Sequence, residues 1–90
     1  MQWLPVFLEL LGTIVYMYVR MTTKNPLVIG TTLAALIFLI QNHHSGSFNP
    51  ALDITHVFAG NTNRWTVIKH LSAQLGGALI AGLLYRWAQN

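Results

Sequence analysis

Cysteine is absent from this chain, so neither a disulfide framework nor a thiolate metal site can form, and the redox compartment leaves no mark on it. Carboxylates are nearly absent as well: Glu9 and Asp53 are the only two. Charged side chains make up 8% of the 90 residues, where a soluble domain carries about 25%. That is too little charge to coat a water-facing surface, and 53% of the residues are hydrophobic. A basic patch is missing too. Arg20, Lys24, Arg64, Lys69 and Arg86 are scattered along the chain, so the formal charge of +3 does not describe a nucleic-acid surface. The first apolar run has no basic segment ahead of it and contains Glu9, which argues for a mature helix over a secretory signal. No nucleophile, base and orienting group can be assembled, nor any His-Glu-x-x-His zinc spacing, so the chain is expected to be neither an enzyme nor a binder of metal or cofactor.

What is present is apolar sequence in membrane-sized pieces. Leu4 to Val19 is apolar apart from Glu9 and Thr13, and is flanked by Trp3 and Arg20, the side chains that sit at headgroups. Asn25-Pro26 marks a turn, and Leu27 to Asn42 reads as a second helix. A polar stretch, Gln41 to Ser47, is followed by Asn49 and Pro50, a capping residue and a first-turn proline. The helix they start ends near Ala59, because Gly60-Asn61 is a stop signal. Such a short helix is read as re-entrant, within a segment spanning about residues 43 to 59. Thr66 to Ala88 is the third span, between Trp65 and Trp87. Its small residues include Ala73 and Gly77, and Ala78 and Gly82, two small-xxx-small pairs that let helix backbones approach in lipid. The expected fold is therefore an all-α membrane protein, a single unit with three transmembrane helices plus one re-entrant half-helix.

The runs PLVIG, LIFLIQNHHSGSFNPALD and RWTVIKHLSAQLGGALIAGLLY, with ELLGT near the start, resemble one three-helix repeat of the major intrinsic protein family, the aquaporins and glycerol facilitators. The likeness extends from Glu9 to Tyr85. Asn-Pro-Ala alone is a weak signal, but here it follows Ser-Gly and an apolar helix, and precedes an Ala-Gln-x-Gly-Gly-Ala helix. The resemblance implies a channel for water or small neutral solutes such as glycerol, completed by a second half-repeat. Asn49, Pro50 and Ala51 would form the pore motif, with the Asn49 amide donating to a passing oxygen and the half-helix dipole repelling cations. Backbone carbonyls of Gly46, Ser47 and Phe48 would lead to it. Ile37 and Leu52 stand where second repeats often carry a His and usually an Arg, so the constriction is expected to be apolar and to lack a fixed cation. Glu9 would accept hydrogen bonds from the re-entrant backbone and hold it in place.

Each of these residues also has a plainer reading. An intramembrane Glu9 is by default a functional site, and with no second carboxylate near it in sequence a structural role is preferred to a proton relay. His43 and His44 could gate the pore or bind metal at its mouth; adjacent residues diverge on most backbones, and mouth lining is the safer assignment. His56 and His70 are expected to face headgroups or water. A channel fragment or non-conducting subunit is the rival to a working half-channel.

Topology supplies the expected partner, beyond the bilayer itself. Three spans place Arg64 and Lys69 on the side of the N-terminus and Arg20, Lys24 and Arg86 on the other. A difference of one basic residue hardly instructs orientation. An inverted homodimer is the preferred assembly, with a separately encoded half as the alternative and a larger ring as a further step.

Overall fold

The computed structural model describes residues 3–40, 48 and 50–89. Among these the regular elements are four α-helices: α1 Leu4–Thr22, α2 Pro26–Ile40, α3 Pro50–Phe58 and α4 Arg64–Gln89. The all-α expectation holds. The first helix continues to Thr22 rather than Val19, and the last begins at Arg64 rather than Thr66. Residues 41 and 42, expected to finish the second helix, lie outside the described residues.

Local chemistry explains the ends. Asn25 caps α2, its Oδ1 accepting from the N–H groups of Leu27 at 2.9 Å and Val28 at 3.4 Å. Asn63 does the same for α4, accepting from Thr66 N–H at 2.8 Å, which is why that helix starts early. At the end of α3 the Asn61 N–H donates to the His56 carbonyl and the Gly60 N–H to that of Val57. Gly60 adopts φ +79°, and the pair of bonds is the Schellman closure that glycine permits.

Contacting residue numbers in α1 and α4 rise together. Trp3 meets Lys69, Glu9 meets Gln74, Thr13 meets Gly77, and Tyr18 meets Tyr85 edge-on at 6.2 Å. The two helices are therefore parallel, although α1 and α2 form an antiparallel hairpin through a three-residue link at 23–25. Close approach is possible because of Gly77: a Cβ there would lie 2.9 Å from Thr13 Cβ and 3.0 Å from the Leu10 carbonyl oxygen. Ala73, Gly77 and Ala81 are buried on this face, whereas Ala78 and Gly82 are exposed. Of the two small-residue pairs in the sequence, the one beginning at Ala73 makes the seam within the chain.

Helix α3 runs back along the first half of α4. Asp53 near its start reaches Gln74, while Val57 and Phe58 near its end share a groove with Arg64 and Val67. Gln74 is ten residues into α4, so at 1.5 Å per residue α3 starts about 15 Å in from the beginning of α4. Helix α2 packs only on α1 among the described elements.

The interior is small and mixed, with Ile40, Phe48, Val67, Ala73 and Ala81 buried beside four polar side chains. Glu9, Thr13, Asp53 and Gln74 are buried, while Leu27, Phe38, Leu75, Leu79 and Phe58 are exposed. Helices α1 and α4 are long and apolar enough to cross a membrane. The long axis of the molecule measures 43 Å.

Candidate functional site

Glu9, Gly12 and Thr13 occupy one face of α1 at the i, i+3, i+4 spacing, and all three are buried. On α4 the facing positions are His70, Gln74 and Gly77. Against α1, at the level of Glu9 and Gly12, sits Phe48, two residues ahead of α3.

Phe48 is anchored in three ways. Its backbone N–H donates to Glu9 Oε1 at 3.0 Å. Its ring lies on Gly12, where an added Cβ would come within 2.2 Å of Phe48 Cε1. Its backbone has φ +54°, a left-handed conformation unusual for a bulky residue, which costs of order 1–3 kcal/mol and persists only where surrounding contacts dictate it. Here the Glu9 hydrogen bond and the Gly12 seat dictate it. Glycine at position 12 is thus required by tertiary packing rather than by its own backbone.

The carboxylate of Glu9 does not act alone. Gln74 Nε2 donates to Glu9 Oε1 and also to Asp53 Oδ2, the latter at 2.7 Å. A carboxamide NH2 has two protons and can bridge two acceptors, so Gln74 links the carboxylates of α1 and α3. His70 Nδ1 lies 4.0 Å from Asp53 Oδ1 and extends the chain towards the end of the bundle. The order is Glu9, Gln74, Asp53, His70. It opens on a recess of about 370 Å³ lined by Asp53, His56, Asn61, Thr62, Thr66 and His70. The polar chain therefore runs from a buried carboxylate to a polar mouth.

No family model, curated protein or solved structure matches the chain. What the site can do must be judged from its geometry. Among the described residues no cluster of three or more His, Asp or Glu is placed to hold a metal ion.

Asn49, Gly46 and Ser47 lie outside the described residues, as do His43 and His44. Pro50 opens α3 and, like Ala51, is exposed. Ile37 on α2 and Leu52 on α3 are 40% and 43% exposed, on elements that do not pack on each other. Both are available to an outside surface. Glu9 is placed against the Phe48 backbone.

His70 departs from expectation. The sequence points it at headgroups or water, but it is largely buried and turned towards Asp53, because it lies one helical turn before Gln74 on the face that receives α3. Gln74, Gly12 and Asp53 carry much of the site and were assigned no role from the residues. One signal was visible: Gln74 is a lone amide among small residues in an apolar helix, and a polar side chain in such a place needs a partner.

Proposed function

We propose that this chain is half of an aquaporin-like channel for passive movement of water or small neutral solutes such as glycerol, completed by an inverted second copy. The observation that carries the reading is the hydrogen bond from Phe48 N–H to buried Glu9. It anchors the start of a nine-residue helix deep beside α4, and that helix then returns towards the end from which α4 begins. A helix starting at half depth directs the positive end of its dipole to the middle of the bilayer. Irregular backbone at that depth is tolerated where it is buried in protein or lines an aqueous path. In this reading the dipole turns cations away and leaves the path to neutral molecules.

Two further features support a membrane setting. The many exposed large apolar side chains, with Glu9, Thr13, Asp53 and Gln74 kept inside, suit a lipid solvent. The 43 Å long axis matches a bilayer of about 40–45 Å including headgroups. In this reading α1, α2 and α4 span and α3 is re-entrant. One copy leaves Ala51, Leu52 and Ile37 exposed, and an inverted copy would face them across the pore by the pseudo-two-fold that inverted repeats use.

The test is osmotic shrinkage of proteoliposomes. Vesicles holding the protein shrink faster than lipid alone, and Asn49→Asp alters ion exclusion. A rate equal to that of lipid, with the protein shown to be inserted, removes the channel and leaves a non-conducting subunit. A reporter on the C-terminus distinguishes the assembly: both locations appear in one culture, and two added lysines beside Arg20 fix one orientation and abolish conduction. One orientation in the unaltered protein, with conduction intact, excludes the inverted homodimer.

A further inference from the structure

The parallel start of α1 and α4 creates a feature that the polar chain does not use. Lys69 Nζ lies 5.6 Å from the centre of the Trp3 ring and 6.0 Å from that of Trp65, one indole from each helix. Both distances are within reach of a cation–π attraction. Below the ammonium, a groove of about 590 Å³ follows the α1–α4 seam, its floor formed by Val6, Phe7, Leu10 and Ile68. The feature combines a held cation, two amphipathic rings and a hydrocarbon trough.

The cation has no carboxylate to meet. Glu9 and Asp53 are the only acidic side chains of the chain, and both are committed to the Gln74 bridge. Indole faces attract an ammonium but do not neutralise it. A counter-anion must come from outside, and what accompanies it must fill an apolar groove. We infer that this groove binds one anionic phospholipid, its phosphate at Lys69 and an acyl chain along the α1–α4 seam. The inference rests on the membrane reading above but not on conduction.

A second copy is the other conceivable occupant, and charge argues against it. An inverted copy would bring the end carrying Arg20, Lys24 and Arg86 to the level of Lys69, which is cation against cation with no acid to intervene. The groove also lies on a different side of α4 from α3. It is lined by positions 65, 68, 69, 72 and 73, whereas α3 lies along Arg64, Val67, His70 and Gln74, and only Ile68 borders both. The position at the helix ends, marked by Trp3 and Trp65, is where headgroups lie.

Indole fluorescence reads the site directly. Trp87→Phe leaves Trp3 and Trp65 as the only tryptophans, and both line the groove. The protein is reconstituted in vesicles containing phosphatidylglycerol or phosphatidylcholine with brominated acyl chains, which quench on contact. Half-maximal quenching is expected at an about fivefold lower mole fraction of the anionic lipid, the weight of one basic side chain near an anionic surface. Lys69→Gln brings the two lipids level, Lys69→Arg keeps the preference, and soluble glycerol phosphate does not relieve the quenching. Circular dichroism of both variants verifies that the helices are intact. Equal quenching by the two lipids in the unaltered protein overturns the site and leaves the membrane reading standing. A preference that survives Lys69→Gln, or relief by glycerol phosphate, also overturns it. Quenching by neither lipid overturns both readings.

Discussion

Replacing Glu9 separates an anchor from a relay. The buried carboxylate accepts from the Phe48 N–H and from Gln74 Nε2. In Glu9→Ala the Phe48 N–H is left in a residue that is 3% exposed, with its acceptor removed, at a cost of about 1–3 kcal/mol. Gln74 loses one of its two acceptors, a further ~0.5–1.5 kcal/mol. Together this is about 3 kcal/mol, or two powers of ten in the equilibrium between a held and a released Phe48 segment. Glu9→Gln keeps a carbonyl oxygen where both donors can find it, so its cost is about 1 kcal/mol, the difference between charged and neutral acceptors. The assay is osmotic shrinkage normalised to inserted protein, run beside the unfolding midpoint followed by tryptophan fluorescence. Glu9→Ala should lose most conduction and lower the midpoint, while Glu9→Gln keeps most of both. If Ala conducts like the unaltered protein, Phe48 is not held by Glu9. If Gln fails as badly as Ala, the site needs a carboxylate as such, and the anchor argument is wrong.

Packing inside the bundle makes two more predictions, and the pore reading a third. Gly12→Ala drives a methyl into the Phe48 ring and should destabilise by about 1–3 kcal/mol; Phe48→Leu, which lacks the clashing ring-end atoms, should recover most of that in the double variant. Additive losses would mean that the ring does not sit on Gly12. Gly77→Val should separate α1 from α4 and abolish conduction, whereas Ala78→Val, on the exposed face, should be silent; the reverse order, read from unfolding midpoints, would place the seam on the other pair of small residues. Leu52→Arg should restrict larger solutes relative to water if Leu52 lines the pore, and an unchanged solute profile puts it outside.

Composition and short-range signals made two helices long and apolar enough to cross a membrane, the helix order and several ends legible. Few charges and long apolar runs bounded by Trp and Arg describe a lipid solvent before any packing is known, because each residue meets the bilayer by itself. Pro26, Pro50 and Gly60 mark where helices start and stop through backbone constraints that act within one turn. Asn25 and Asn63 were equally local, and their capping is what set the true starts of α2 and α4.

The site was legible only in part, since its bonds join residues far apart in the chain. Glu9 and Gln74 are separated by 65 positions and Gln74 and Asp53 by 21. Sequence distance hid the nearness of the two carboxylates, which the parallel pairing of α1 with α4 and the return of α3 bring to one amide. The same pairing selected Ala73, Gly77 and Ala81 over Ala78 and Gly82, turned His70 towards Asp53, and set Lys69 between two indoles. Periodicity marks a face on a helix, but which face is buried depends on the helix that packs against it. In a chain with so little polar sequence, that choice also decides which few polar groups can satisfy one another away from water.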